Sequence, residues 1–269
     1  MRLRHTGFHQ QRQAAVEPSR AHRDGSPVRY GEGRRPAEIQ GAGVLNGGSA
    51  EVSLTLYHGS KSGIVGPIRP SSRSSCDFGR AFYMGESERQ PLTLICHYEQ
   101  PKLYTLEFDD SDLRTLDVGS DLLWALFVAY NRGEMSAYAN TPLVRRLSAM
   151  VEGVDVLRGR IANDRVFQTV QMFFERTITL ETLGEVLKAV NLGHQVCAVS
   201  ERACERIRIV SERVVSEVEC ALLREKSERQ RQRATELTDR IVDARRRTDG
   251  IYFDELCEKY RSGEGLPTC

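Results

Sequence analysis

Leu56-Tyr57-His58-Gly59-Ser60-Lys61 is a short apolar run that stops at a His-Gly pair. Farther along, Asp77-Phe78-Gly79-Arg80-Ala81-Phe82-Tyr83-Met84-Gly85 carries three aromatic rings between and beside two glycines. The pair of stretches predicts one strand that ends on a histidine and a second that delivers an aromatic ring to the same cleft. His58 has two readings. Either its imidazole donates from one nitrogen to a ligand hydroxyl while the other accepts from the protein, or it closes a hydrogen bond inside its own turn. Tyr83 either stacks on a planar ligand ring or fills the core. Gly59, Gly79 and Gly85 permit close backbone approach. Arg73 and Arg80, in the loop leading into the second strand, either pair with a phosphate through the guanidinium fork or remain solvated loop charges.

On either side of this pair the chain changes character. Residues 1–50 hold eight arginines against four acidic residues with no periodic apolar pattern, and read as a flexible leader that buries too little surface to offset its ordering entropy. Ser53-Leu54-Thr55-Leu56-Tyr57 reads as a strand. Residues 87–98 read as a helix with Pro91 in its first turn, and residues 103–108 as a strand with Tyr104, Leu106 and Phe108 on one side. A polar link then leads to a buried helix over 121–130, capped by Ser120 or Asp121. Asp155, Val156 and Leu157 run through Gly159 into Ala162-Asn163-Asp164. After Asp164, apolar residues at 166, 167, 170, 173 and 174 make a helix face. Thr179 caps a further helix carrying Leu180, Leu183, Val186, Leu187 and Val190, which Gly193 terminates.

Residues 194–199 predict a strand with Gln195, Cys197 and Val199 on one face. A turn of helix over 201–204 and a strand over 207–210 follow. Residues 212–247, rich in Glu, Arg and Gln, predict one or two exposed helices with a narrow apolar face at 218, 222, 223, 237, 241 and 242. Residues 250–256 predict a terminal docking turn or short helix. The organisation expected is a leader over 1–50, an α+β domain over 51–211 and a helical extension over 212–269.

Composition narrows the function. A length of 269 residues with 40% hydrophobic and 28% charged residues suits a globular chain, and no run approaches the roughly 18 apolar residues of a membrane helix. Met1-Arg2-Leu3-Arg4-His5 lacks the apolar stretch of a secretory signal. Seven cysteines without a CxxC indicate a reducing, cytoplasmic setting and no structural zinc. A net charge of +1 gives no whole-protein attraction to nucleic acid. Phosphate-loop, dinucleotide-fold, HExxH and GxSxG motifs are all missing. The six histidines fall outside metal-ligand spacing, and no sequence pattern supports pairing Cys96 or Cys197 with His194 as a nucleophile.

Residues 56–60 and 78–85 resemble the first two signatures of the ADP-ribosyltransferase fold, in the histidine–tyrosine branch shared by diphtheria-type toxins and poly-ADP-ribose polymerases. Within that branch the chain looks closest to an uncharacterised bacterial family found in toxin–antitoxin-like arrangements. Residues 125–132, 155–164, 192–197 and 200–203 extend the likeness over roughly 52–211, with an echo at Asp249-Gly250-Ile251-Tyr252-Phe253.

The resemblance implies a split β-sandwich with flanking helices that holds NAD in a cleft. It implies that His58 binds the adenosine ribose and orients the nicotinamide amide, that Tyr83 stacks on nicotinamide, and that Gly59 offers backbone hydrogen bonds. Arg73 and Arg80 are the expected phosphate ligands. The third catalytic position, a glutamate in the well-studied members, falls here on Gln195. Glutamine accepts a hydrogen bond but supplies neither a full charge nor a general base. Asp164 either supplies the missing carboxylate or caps its helix. The implied activity is mono-ADP-ribosyl transfer from NAD to a macromolecular acceptor, protein or nucleic acid, with a small antitoxin-like protein as a further partner. An inactive NAD- or ADP-ribose-binding module and a protein-interaction domain are the alternatives.

Overall fold

In the computed structural model the opening stretch is a strand, β1 (Leu54–Ser60), and the second stretch ends in another, β2 (Phe82–Gly85). The structure describes residues 53–119, 121–162, 164–190, 193–245 and 249–261, with Asp121 and Asp164 described as backbone only; the expected leader lies outside these residues. Five further strands follow: β3 (Lys102–Phe108), β4 (Thr115–Asp117), β5 (Val156–Arg160), β6 (His194–Ala198) and β7 (Ile207–Val214). They form one mixed sheet of order β4-β5-β6-β2-β1-β3-β7. Only β4 and β5 run parallel; the other neighbours are antiparallel.

Pairing is uneven across this sheet. β1 matches β3 along its whole length, from Leu54 opposite Phe108 to Ser60 opposite Lys102. β2 matches β6 from Phe82 opposite Ala198 to Gly85 opposite Gln195. Between β1 and β2 there is one pair, Tyr57 opposite Gly85. The sheet is therefore pinched at its centre into β4-β5-β6-β2 and β1-β3-β7.

The helices are α1 (Arg89–Ile95), α2 (Asp121–Arg132), α3 (Pro142–Ala149), α4 (Asp164–Phe174), α5 (Leu180–Ala189), α6 (Glu201–Glu205), α7 (Glu217–Arg245) and α8 (Phe253–Arg261), with a 3-10 turn at Ser136–Tyr138. Local chemistry sets several of these starts. The Thr141 side chain accepts from Val144 N–H with Pro142 at the first helical position, where its missing N–H costs nothing. Thr179 caps α5 as its position before an apolar repeat predicts,.

One face of the sheet carries Leu56, Phe82, Met84, Tyr104, Leu106, Phe108, Val156 and Val196 in one core cluster. The other carries the larger core, where Phe78, Trp124, Phe127, Leu157, Phe173 and Cys197 meet the apolar sides of α2 to α5. Leu103 is buried beside Tyr104 because α1 covers the second face there, packing Leu92 and Ile95 with Val215 and Cys220.

Several expectations need correcting. The boundary expected after residue 211 falls inside β7, whose Val214 still pairs with Lys102. The link expected after residue 108 includes β4, residues 156–160 are a strand, and residues 136–149 add the 3-10 turn and α3. Residues 194–198 are the strand expected, with Gln195 and Cys197 on one face; Val196 and Ala198 on the other are buried too, because helices and sheet core cover both sides.

The C-terminal extension holds one 29-residue helix, α7. It buries the expected apolar face only in part: Val218 and Leu222 are exposed, Leu223, Ile241 and Val242 are partly buried against the cores, and Cys220, Ser227, Ala234 and Thr238 face inward as well. Small side chains let the helix lie close, and polar links at the rim hold it: Arg89 to Gln230, Arg165 to Asp239 and Arg245 to Glu185. The chain then docks Phe253 among Tyr138, Phe173 and Phe174, with ring centroids 4.9, 5.6 and 4.4 Å away. Ile251 carbonyl takes the Leu180 N–H at 2.8 Å, occupying one of the free donors at the start of α5. Among the described residues no helix is long and apolar enough to cross a membrane.

Candidate functional site

His58 sits where β1 leaves β2. One pair beyond Tyr57–Gly85 the main chains no longer match, and the Tyr83 carbonyl, which a regular ladder would pair with β1, instead lies 2.8 Å from His58 Nδ1. A carbonyl only accepts, so Nδ1 carries the proton. In the neutral ring Nε2 then keeps its lone pair. This reverses the direction expected from sequence: the imidazole donates to the protein and offers an acceptor to a ligand. The ring stacks on Phe82, centroids 4.3 Å apart at 25°, with Tyr104 behind it at 6.4 Å. Burial lowers the His58 pKa, partly opposed by the hydrogen bond to the Tyr83 carbonyl. The neutral form is the one the site holds.

Tyr83 faces the other way. Consecutive strand residues alternate sides, and Phe82 belongs with His58, so the Tyr83 ring enters the larger core. Its hydroxyl accepts from Phe78 N–H at 3.0 Å and donates to the Gly79 carbonyl at 2.8 Å. Burial pushes the phenol well above the usual tyrosine range, so it stays protonated. The structure thus joins His58 and Tyr83 through a main-chain carbonyl while their side chains leave opposite faces of β2. The turn that Tyr83 holds is itself anchored. Arg132 contacts Asp77 through Nε at 2.9 Å and Nη2 at 2.5 Å, Ala162 N–H reaches the other Asp77 oxygen at 3.3 Å, and Gly79 takes φ +73 beside Asn131. Sequence reading assigned Asp77 and Arg132 no part, because the partners are far apart in the chain.

Gln195 shares a face with Tyr83. A row runs across the sheet from Tyr57 to Gly85, Gln195 and Gly159. Gln195 is only 8% exposed, and its Nε2 donates to the Arg160 carbonyl at 3.1 Å, which also accepts from Trp124 Nε1 at 3.0 Å. Gly59 packs under α1: a Cβ there would lie 2.9 Å from Ile95 Cγ2 and 3.0 Å from the Pro91 carbonyl oxygen. Arg73 and Arg80 are both exposed in the loop before β2. Asp164 opens α4, and its side chain lies outside the described residues. Cys197 is wholly buried, which raises its thiol well above the usual range, while His194 is exposed. They do not make a nucleophile pair.

Beyond the ends of β2, β5 and β6 opens a cleft of about 570 Å³, bounded by α1, residues 161–162, the start of α4 and the middle of α7. Gln90 connects it to the sheet. Its side chain lies over Gly85 and Gly193, whose hypothetical Cβ atoms would come within 2.7 Å of Oε1 and 2.3 Å of Nε2 respectively. Arg89, Arg165 and Arg231 line the cleft, with no lining carboxylate among the described residues. No sequence signal gathered these three, which come from separate helices.

These elements define a mixed α+β domain with a central mixed sheet, flanking helices and a C-terminal helical extension. Residues 54–209 match the family described as "Protein of unknown function (DUF3990)", and the chain belongs to that family. No curated protein matches the sequence. Among solved structures the chain is similar to one titled as the M. tuberculosis MbcT-MbcA toxin-antitoxin complex, at 12% identity and a TM-score of 0.35, over 65% of this chain and 91% of that one.

Proposed function

We propose that this protein is an NAD-dependent mono-ADP-ribosyltransferase with a split-sandwich active site. The observation that carries the reading is the histidine at the sheet split, fixed by the Tyr83 carbonyl so that its neutral Nε2 accepts. That acceptor suits a ribose hydroxyl. The half-buried Tyr83 ring, Gln195 between two cross-strand glycines and an arginine-lined cleft of about 570 Å³ support this reading,. Bound NAD supplies an electrophilic ADP-ribosyl group: its C1′–N bond breaks, nicotinamide leaves, and an acceptor nucleophile bonds to C1′ as it gives up its proton.

The chain's own residues then divide the work. His58 receives a ribose hydroxyl and holds the ring by its bond to Tyr83. Tyr83, protonated and anchored at its hydroxyl, offers only ring surface. Gln195, tied to the Arg160 carbonyl, gives a polar edge without charge. Arg73 and Arg80 are free to meet acceptor or ligand phosphates. The acceptor is a protein or nucleic acid, and a small antitoxin-like protein is a further proposed partner.

A second reading, an NAD- or ADP-ribose-binding module without turnover, is favoured by the uncharged Gln195, which the resemblance aligns with the glutamate of transferases of this branch. One experiment separates the two. Adenylate-labelled NAD is incubated with the full chain in lysate, with wild type beside His58→Ala and Tyr83→Ala, followed by nuclease or protease. Label on a macromolecule, lost in both variants, is expected. NAD binding without label transfer or nicotinamide release overturns the transferase reading in favour of the module.

A further inference from the structure

We infer that the cleft under α7 seats the diphosphate of a nucleotide ligand, with Arg231 of α7 as one of its cationic walls. The inference rests on the dinucleotide reading above for the ligand's identity and on the cleft for its chemistry. Three guanidinium groups converge on this cavity from three helices, α1, α4 and α7. Arg165 is held from behind by Asp239 and Gln168, which leaves its Nε–H buried with no acceptor among the described residues. Arg89 touches Gln230 at 3.2 Å, and no carboxylate pairs with Arg89 or Arg231 among the described residues.

Among the described residues, with Arg165 offset by Asp239, the charges of Arg89 and Arg231 remain, matching the charge of an esterified diphosphate. Guanidinium forks fit phosphate oxygens in paired hydrogen bonds. Gln90 spans from this cavity to Gly85 and Gly193, beside Gln195, so a ligand with phosphates here has its sugars directed toward the sheet split. On this account α7 is a wall of the ligand site, which explains why a helix with a strongly polar surface is packed against α1, α4 and α5.

The test is calorimetric titration of the full chain at low salt with inorganic pyrophosphate, ADP and adenosine. Wild type is compared with Arg89→Gln, Arg231→Gln and Arg233→Gln, the last an exposed α7 arginine outside the cleft. Matching thermal melts establish that all are folded. ADP and pyrophosphate are expected to bind more tightly than adenosine, to weaken about tenfold in each cleft variant, and to be unchanged in Arg233→Gln. ADP binding of wild-type strength in Arg89→Gln and Arg231→Gln, or none to wild type, overturns the inference. Arginine-dependent ADP binding with no nicotinamide release from NAD upholds the cleft and counts against the transferase reading alone.

Discussion

Replacing His58 with Phe isolates the hydrogen bond at the sheet split. Phenylalanine retains a ring to stack on Phe82, 4.3 Å away in the native pair, but leaves the Tyr83 carbonyl without its 2.8 Å donor. An orphaned, largely buried acceptor costs about 1–3 kcal/mol. The cost depends on pH. Burial lowers the folded-state His58 pKa, so below the unfolded value of about 6.5 the unfolded chain binds a proton that the folded chain refuses. Stability therefore falls as pH falls from about 6.5 toward the folded pKa, by at most about 1.4 kcal/mol per pH unit for this proton. His58→Phe lacks that contribution. Its deficit should be largest above about pH 6.5 and should shrink as pH falls below it. Urea unfolding followed by the fluorescence of Trp124, the single tryptophan and 3% exposed, measures both curves. Parallel loss of stability in wild type and His58→Phe across this range would refute the claim that the site holds the imidazole neutral.

Three other perturbations test the frame around the site. Gly159→Ala places a Cβ 2.7 Å from Phe78 Cζ and 3.5 Å from Trp124 Cδ1; because the ring cannot swing away from its core, a loss of about 1–3 kcal/mol is expected in the same urea assay. Phe253→Ala empties a position 1% exposed among three aromatic rings, and should cost about 3–5 kcal/mol; a loss under about 1 kcal/mol would mean that α8 is not part of the core. Native alkylation followed by peptide mass mapping should label Cys76 and Cys257, the half-buried thiols, and spare Cys96, Cys197, Cys204 and Cys220, with labelling of Cys197 before unfolding as the contrary result.

The sequence made some elements legible and hid others for identifiable reasons. β3 and α5 were readable because apolar residues recur at the strand and helix periods, and because Thr179 is a side chain that caps. β5 escaped because Arg158 and Arg160 interrupt its apolar run; Arg158 leaves the sheet to meet Asp110, an arrangement with no local signal. The inward face of α7 was legible at Leu223, Ile241 and Val242, which pack partly buried, and escaped at Cys220, Ser227, Ala234 and Thr238, small side chains that hydropathy does not mark. His58 was identified as a candidate from its place after an apolar run, yet the direction of its hydrogen bond was not accessible. That direction depends on β1 and β2 parting after a single pair, a long-range fact. The cleft arginines were hidden for the same reason, since Arg89 and Arg231 meet only when α7 folds back on α1.

The glycines in the two opening stretches join these observations. Gly59 and Gly85 were expected to admit a ligand to the backbone, but the space beside each is taken by protein: Ile95 and the Pro91 carbonyl against Gly59, Gln90 and Pro91 against Gly85. Their missing side chains let α1 lie directly on the sheet at the split. That contact fixes Gln90 over Gly85 and Gly193, and Gln90 is also a wall of the arginine cleft. A side chain at Gly85 would therefore displace the helix that carries Arg89 as well as the strand edge beside Gln195. The His-Gly and Tyr-Met-Gly signatures thus set the geometry of both the split and the cleft through one helix, which is why residues so plain in composition organise the rest of the chain.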